Sequence, residues 1–389
     1  MRRKRAGGLE VRDTMSRTGR RIPPAPKKMD NTLKITEHKK FWNHEKTIIP
    51  LASFRIGSYF IATQYMAAQK LLAKGKIITP EMIDVDSFME DYEMKFREVS
   101  ALDQSAFWTA EPYAGIPWME AFWGCQIIGS GESFAALPFA GNPQELQKLE
   151  FKPDNRWVAK YFEFIEKLNK LSAGRFPVGA PILRGQGDTI GALTGQTEFI
   201  YALYEEPLII RKTLDKIVDS FLFIYEQMHR MNIPFLGGSS MGFYHIWAPG
   251  KSLWFQDDMG ALLSPTLYRD FFLENERRIC KHYDYNMVHL HSSAFHLLDD
   301  ILDNEYLKAV EINKDAGGPG ITQMLEQFKK VLDKNRRLVV WGNLNEDEIQ
   351  FLIEKLGAGS MPAGLFFNIL HPDLTRAVKI NSFLKRISK

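Results

Sequence analysis

The chain has 389 residues, of which 45% are hydrophobic and 25% charged, with 28 Gly, 19 Pro and two Cys. This composition excludes a collagen-like or low-complexity protein, and two cysteines exclude a disulfide scaffold and a four-thiolate metal site. The net charge is +3, of which residues 1–28 contribute +8, so residues 29–389 carry −5. This negative charge excludes a basic face that binds nucleic acid.

The first 45 residues are predicted to be a basic, disordered extension that precedes a folded body at 46–389. The stretch 1–28 fits three interpretations: a mitochondrial-type presequence, a disordered tail, or a chain whose natural start is Met29. No segment approaches 18 uninterrupted apolar residues, so the sequence predicts no contact with a membrane. The scarcity of cysteine favours a reducing compartment, and we predict a cytoplasmic protein.

Short apolar runs alternate with amphipathic helical stretches along the body, a pattern typical of parallel βα units. The predicted strands are residues 47–54, 104–109, 177–183, 253–257, 287–291, 308–312, 337–341 and 364–369. The predicted helices are residues 157–171, 197–231, 265–282, 294–302, 320–332, 346–355 and 373–387. Eight strands alternating with helices predict an α/β fold, a (β/α)8 TIM-type barrel with a helical insertion after the first strand.

Two stretches between the predicted strands are irregular. Residues 66–99 form the helical insertion and are predicted to act as a lid, whereas residues 234–250 are predicted to be a mobile βα loop. In barrels of this kind the catalytic groups lie at the carboxyl ends of the strands. Polar residues that follow the predicted strands are therefore the candidates for a functional site.

Trp118 and Glu120 follow the second predicted strand, and Arg184 and Gln186 follow the third. Trp118 and Glu120 would wall a pocket and present a carboxylate; the alternative is a helix whose first turn favours an acid. Arg184 would bind a carboxylate or phosphate through its planar guanidinium; the alternative is a surface arginine beside a Gly-rich turn. We predict that these four residues bind substrate.

The fourth predicted strand ends in two adjacent acids, Asp257 and Asp258. Carboxylates at a barrel mouth are costly unless they are used, and adjacent strand positions point to opposite faces, so at most one of them faces the interior. That carboxylate would hydrogen-bond a substrate N–H, act as a general base or hold a metal. The alternative is that either residue caps a turn. We predict a catalytic aspartate here.

His289 and His291 lie two positions apart on the fifth predicted strand, so both side chains project the same way. At a strand end they would be metal ligands, or one would shuttle protons; the alternative is a pair of core histidines. We predict that His291 is catalytic and that His289 binds substrate. His296, at the start of the next helix, is predicted to face solvent.

Several short motifs together resemble the uroporphyrinogen decarboxylase superfamily. They lie between residues 100 and 385 and are PVG at 177–179, GALTG at 191–195, EP at 206–207, DDMG at 257–260, LSP at 263–265, YRDFF at 268–272 and HS at 291–292. The resemblance implies a distorted (β/α)8 barrel with one deep cleft at the strand ends. It also implies a homodimer.

The decarboxylase branch of this superfamily needs no cofactor. Arginines hold the acidic side chains of its tetrapyrrole substrate, and an aspartate in the cleft hydrogen-bonds the pyrrole N–H groups. In this sequence the arginine motif is reduced to Arg55, within FRIGSY at 54–59. Fewer charge-assisted hydrogen bonds imply a substrate that is smaller or less anionic than uroporphyrinogen.

The other branch consists of methyltransferases that pass methyl groups between a corrinoid protein and a thiol. They bind zinc through a His-x-Cys motif and a cysteine near the C-terminus. Here His291 matches the histidine, but Ser293 stands in place of the cysteine and residues 363–372 contain none. A methyltransferase would therefore need a different metal site, formed by His289, His291 and a carboxylate such as Glu311.

The sequence leads us to expect a decarboxylase that needs no cofactor and binds no metal, and that acts on a tetrapyrrole-like or smaller carboxylated substrate. Asp257 or Asp258 would bind the reacting ring or position a proton. His291 would be the acid/base, and Arg184 or Arg55 would hold a carboxylate of the substrate.

Three tryptophans are expected to support this chemistry, because an apolar wall favours the loss of charge as carbon dioxide leaves. They are Trp108, Trp118 and Trp254. Two alternatives stay open: a corrinoid/thiol methyltransferase with an altered metal site, and a barrel that binds a tetrapyrrole or corrinoid without chemistry.

Overall fold

A computed structural model describes residues 29–357 and 360–387. The basic stretch 1–28, with its three interpretations, lies outside the described residues. The body begins before the predicted residue 46, because helix α1 (Asn31–Trp42) packs into the structure. The side chain of Asp30 caps α1 by accepting the N–H of Thr32 at 3.2 Å, and Phe41 and Trp42 are buried. Residues 31–42 are thus part of the folded body, which corrects the predicted boundary at 45.

The strands, in chain order, form one six-stranded sheet and two small antiparallel sheets. The strands are β1 (Leu51–Ile56), β2 (Ile77–Ile78), β3 (Gln126–Gly129), β4 (Phe134–Leu137), β5 (Ser239–Met241), β6 (Ile246–Ala248), β7 (Ser252–Gln256), β8 (Tyr285–Leu290), β9 (Ala309–Asn313), β10 (Arg337–Gly342) and β11 (Leu365–His371). The main sheet is parallel throughout, in the order β1-β11-β10-β9-β8-β7. It curls into a half-barrel, which is compatible with a TIM-type fold and is not a fully closed barrel.

Two of the eight predicted strands, 104–109 and 177–183, are not regular strands. They occupy the gap between β1 and β7 and make isolated parallel bridges, Ala110 with Val178 and Arg184 with Gln256. Side chains replace some of the backbone hydrogen bonds that would join two regular strands: Ser105 Oγ accepts the N–H of Ala52 in β1 at 2.7 Å. The other six predicted strands are present with shifted ends, so the (β/α)8 prediction holds for the parallel sheet and its helices.

The interior of the curled sheet is filled by another part of the chain. Alternate residues of the main strands, such as Met287 and Phe366, pack in one buried cluster with the β5–β6 hairpin and with Phe41 of α1. The hairpin residues 241–248 are all buried. The predicted mobile loop at 234–250 is therefore largely a packed hairpin, whose apolar side chains have no other place to be buried than the inside of the sheet.

Helices surround the outer face of the sheet, where the remaining strand residues pack against them. They are α2 (Val85–Ser100), α3 (Trp118–Phe122), α4 (Pro143–Lys148), α5 (Arg156–Ser172), α6 (Gln186–Thr194), α7 (Gln196–Glu205), α8 (Pro207–Met231), α9 (Pro265–Phe271), α10 (Leu273–His282), α11 (Leu298–Leu302), α12 (Leu325–Asp333), α13 (Glu346–Gly357) and α14 (Leu374–Ile387). The predicted helix 197–231 is divided before Pro207, since proline removes an N–H and starts a new helix well.

The predicted insertion at 66–99 contains α2, whose Phe88 and Tyr92 are buried in the core between β1 and α5. This part of the predicted lid is a fixed layer of the fold. Among the described residues, no helix combines the length and the apolar character needed to cross a lipid bilayer.

Candidate metal centre

Two histidines and one aspartate converge at the carboxyl ends of β7 and β8. His289 lies on β8 and His291 follows it, so both project into the curled sheet. In the register of the sheet, Gln256 at the end of β7 pairs with His289. Asp258 lies two residues beyond Gln256, at the start of a 3-10 helix (Asp258–Leu262), and this places its carboxylate level with His291.

The ring nitrogens of these histidines face one carboxylate oxygen. Asp258 Oδ1 lies 3.8 Å from His289 Nε2 and 3.7 Å from His291 Nε2. The two rings are 4.5 Å apart and nearly perpendicular, and the three ligand atoms lie within 4.8 Å of one another. Two imidazoles and a carboxylate are a recurrent ligand set for zinc and for iron(II), and three protein ligands leave positions open for a substrate.

The other ring nitrogen of each histidine is held by a carboxylate. His289 Nδ1 hydrogen-bonds to Glu311, which also accepts the hydroxyl of Tyr244 at 2.8 Å. His291 Nδ1 lies 2.5 Å from Asp315 Oδ1. Carboxylates in these positions fix the orientation of an imidazole and leave Nε2 available, which is the arrangement commonly found behind metal-bound histidines.

The cluster has an excess of negative charge. Burial lowers the pKa of His289, but the charge and the hydrogen bond of Glu311, together with the charge of Asp258, outweigh burial and raise this pKa to about 9. Burial raises the pKa of Asp315, but the hydrogen bond to His291, the charge of His291 and the hydrogen bonds from Ser292 together outweigh burial and lower the pKa. Glu311 is fully buried, and its Oε1 has no hydrogen-bond partner among the described residues. This charge balance suits a bound cation.

Sulfur ligands are absent from the cluster. Cys125 is buried beside the carbonyl of Ala192, with Sγ 3.6 Å from it, and Cys280 is buried in α10. Ser292, next to His291, donates its hydroxyl to Asp315 at 3.0 Å. The residues present therefore fit a metal held by nitrogen and oxygen and do not fit the His-x-Cys zinc pattern. The third ligand that the geometry offers is Asp258, whereas Glu311 supports His289 from behind.

Asp257 does not join the cluster, although it is the neighbour of Asp258. Its two carboxylate oxygens accept the N–H groups of Gly187 and Asp188, each at 3.0 Å, at the N-terminus of α6. Burial, and then the charge of Asp188, raise the pKa of Asp257 well above its usual value. The structure thus separates the two adjacent acids as their strand positions predict, and gives Asp257 a capping role in place of the predicted catalytic one.

Several predicted pocket residues are part of the core. Trp118 is fully buried and donates its ring N–H to the carbonyl of Tyr113, and Trp254 lies inside the curled sheet against Tyr244. Trp108 packs on Phe96, Phe176 and His245. Trp118 and Trp254 therefore do not form the expected apolar wall, because both rings are buried in the core, whereas Trp108 is only partly buried.

Gln186 is buried as well, and its amide joins α6 to α9 and α10. Its Nε2 donates to the carbonyl of Phe272 at 3.2 Å, and its Oε1 accepts from Asn275 at 3.0 Å. Both ends of the side chain are thus used within the fold. Gln186 has a structural role in place of the predicted contact with substrate.

The predicted arginines are both paired with buried acids. Arg184 donates to Glu120 at 2.7 Å, and Arg55 lies 3.3 Å from Glu111 with its guanidinium 4.2 Å from the centre of the Phe243 ring. Arg184 remains 44% exposed and Arg55 is largely buried. Only Arg184 has a guanidinium that a ligand reaches readily.

Sequence reasoning missed Asp315 and Tyr244. Every second residue is polar at the carboxyl end of β9 and just beyond it, where the chain lies beside the histidines: Glu311, Asn313 and Asp315. This alternation is a sequence signal that could have identified Asp315. Tyr244 comes from the interior hairpin, 45 residues before His289, and nothing in the local sequence indicates that contact.

The fold resembles a known structure. The chain superposes on a methyltransferase from Methanosarcina mazei with a TM-score of 0.63 and 12% sequence identity, over 92% of this chain and 99% of that one. No model of a protein family matches the sequence, and no curated protein matches it. At this level of identity the likeness establishes the fold.

Proposed function

We propose that this chain is a metal-dependent methyltransferase whose divalent ion is held by Asp258, His289 and His291. The observation that carries the proposal is the convergence of two carboxylate-supported imidazoles and the carboxylate of Asp258 at one point. The likeness in fold to a methyltransferase favours this class. Zinc is the ion we expect, because two nitrogen ligands and one oxygen ligand occur at its catalytic sites.

The proposed reaction moves a methyl group from a methylated corrinoid to a thiol. The carbon–cobalt bond breaks with both electrons staying on the corrinoid, the carbon–sulfur bond forms, and the thiol proton leaves to solvent. A zinc ion in the site would supply a lowered pKa for the thiol bound to it. The chain's own residues contribute by orienting: Glu311 and Asp315 keep both Nε2 atoms directed at Asp258.

A cofactor-free decarboxylase is the weaker alternative. It requires Asp257 or Asp258 beside the reacting ring and an apolar wall. Asp257 instead accepts two backbone N–H groups, and two of the three tryptophans, Trp118 and Trp254, are buried in the core. The distance of 3.7 Å between His291 Nε2 and Asp258 Oδ1 instead supports a role for both as metal ligands. These contacts favour metal-assisted methyl transfer over the loss of carbon dioxide.

The test is a zinc titration of metal-free protein in competition with a chelating dye. We expect one zinc per chain, and a loss of affinity of about 100-fold or more in Asp258→Asn and His291→Ala. His296→Ala is the matched control, since its imidazole contacts the carbonyl of Leu263 outside the cluster. Zinc binding that survives His291→Ala, or falls equally in His296→Ala, would contradict the proposed site.

Activity is measured as loss of methylcobalamin in the presence of 2-mercaptoethanol. We expect transfer by zinc-loaded protein and none after His291→Ala, with the fold of the variant checked by circular dichroism. Release of carbon dioxide from a carboxylated tetrapyrrole by metal-free protein would instead support the decarboxylase. A tetrapyrrole or corrinoid that stays bound without turnover would indicate a binding protein.

A further inference from the structure

A cleft lined mainly by apolar side chains includes the side chain of Arg184. Its volume is about 160 Å³, and among the residues lining it within the described part of the chain Arg184 is the only charged one. The lining is otherwise dominated by apolar and aromatic side chains, including Tyr59, Phe60, Ile116, Phe134 and Ile182. A cleft of this composition binds a molecule with an apolar body and few polar groups.

Backbone and side-chain contacts connect this cleft to the metal centre. Arg184 forms a parallel bridge with Gln256, and Gln256 Nε2 donates to Asp258 Oδ2 at 3.1 Å. On the other side, the ring of Tyr59 lies 5.8 Å from that of Trp341, at the end of β10. The charge of Asp258 also contributes, after those of Glu120 and Asp188, to raising the pKa of Arg184. Arg184 thus links the lining of the cleft to Asp258 through Gln256.

The guanidinium of Arg184 is held in place and still accessible. Glu120 is fully buried and accepts from Arg184 Nη1 at 2.7 Å, which fixes the plane of the guanidinium. The side chain of Arg184 nevertheless remains 44% exposed. A guanidinium has five N–H donors in a flat fork, so the donors that Glu120 does not use match the two oxygens of a carboxylate.

We propose that the thiol substrate of this site has an apolar body and a single carboxylate, and that Arg184 binds this carboxylate while the thiol lies at the metal centre. The proposal rests on the proposed function for the position of the reacting group. Arg184 acts here as a specificity-determining residue.

Other substrate classes fit the cleft less well. A polyanion would find no second cation in the described lining, and the negative charges of Glu120 and Asp258 near Arg184 would repel it. A cation would be repelled by Arg184. A neutral apolar molecule would cover the guanidinium without satisfying its donors, which costs free energy once water is displaced.

The test uses 4-phenylbutyrate as a probe and its amide, 4-phenylbutyramide, as the neutral match. Both are titrated calorimetrically into metal-free protein. We expect the carboxylate to bind at least about tenfold more tightly than the amide, and Arg184→Gln to remove that preference, because a hydrogen bond to a charged group is stronger than one to a neutral group. Arg269→Gln is the control, since its guanidinium pairs with Asp300 on the surface.

Glu120→Gln tests the same pair without removing the arginine. It frees Arg184 from a competing carboxylate, so we expect 4-phenylbutyrate to bind more tightly than in the natural chain. Equal binding of carboxylate and amide, or a preference that survives Arg184→Gln, would overturn the proposal. His291→Ala separates the two ideas: it should abolish zinc binding and leave the preference for the carboxylate intact.

Discussion

The two histidines of the cluster differ in exposure. The side chain of His289 is only 5% exposed, whereas those of His291 and Asp258 are 32% and 44% exposed. His289 is thus the buried anchor, and His291 and Asp258 form the open side where a substrate would arrive. Each histidine has two groups behind it: Glu311 and the hydroxyl of Tyr244 contact His289 Nδ1, and Asp315 and Asn313 contact His291 Nδ1.

Tyr244→Phe should weaken zinc binding by about 10- to 100-fold, because the hydroxyl orients the carboxylate behind His289. The dye-competition titration measures this change directly. Tyr225→Phe is the matched control: it also removes a buried hydroxyl, one that donates to the carbonyl of Trp254 at 2.7 Å, and it should leave the affinity for zinc unchanged. Equal losses of zinc affinity in the two variants would show that Tyr244 stabilises the fold and does not orient the metal site.

The sequence predicted the two histidines and Asp258 as site residues because their relationship is local. Positions 289 and 291 share a face by strand geometry, and adjacent acids at a strand end must separate. The contacts of Tyr244 and of Arg184 with Glu120 join residues 45 to 67 positions apart, and they depend on where whole segments pack. Local periodicity carries no information about such pairs.

At the level of elements, the gap between β1 and β7 shows how side chains take over from a regular ladder. Gln104 Oε1 accepts the N–H of Phe54 at 2.8 Å, and Ser105 Oγ accepts that of Ala52 and donates to the carbonyl of Pro50. The predicted strand 104–109 has the right composition and lies in the right place. It is irregular because polar side chains in it satisfy the backbone of β1.

Ser105→Ala should therefore lower the free energy of unfolding by about 1–3 kcal/mol, since it leaves the buried N–H of Ala52 without an acceptor. Urea denaturation measures the change. Ser382→Ala, which removes an exposed hydroxyl from α14, is expected to alter stability by less than about 0.5 kcal/mol. A Ser105 variant as stable as the Ser382 variant would show that water or another group replaces the hydroxyl.

At the scale of the whole molecule, buried carboxyl groups make stability depend on pH. Burial is the main cause that raises the pKa of each, to about 7 for Glu111, Asp188 and Glu276 and well above the usual value for Asp257. Between the unfolded and the folded pKa, the folded state holds more protons. The free energy of unfolding therefore falls as the pH rises through this window, from about 4 to about 7.

Glu276→Gln should flatten this decline. Its carboxyl accepts the hydroxyl of Tyr268, and an amide oxygen keeps that bond while removing the titration. The decline in unfolding free energy between pH 4.5 and pH 7 should shrink by about 3 kcal/mol, because burial raises the pKa of Glu276 to about 7 and the amide does not titrate. Urea denaturation at several pH values tests this, with exposed Glu274→Gln on the same helix as the control. Parallel profiles for Glu276→Gln and the natural chain would contradict it.

The hairpin inside the curled sheet has a consequence for how the chain assembles. Five of the six strands that enclose it, β7 to β11, come after it in the chain. Because synthesis runs from the amino terminus, the β5–β6 hairpin emerges from the ribosome before most of the strands that surround it. Until β11 pairs with β1, the apolar side chains of the hairpin stay exposed to water. We therefore expect the nascent protein to depend on chaperones most at that stage.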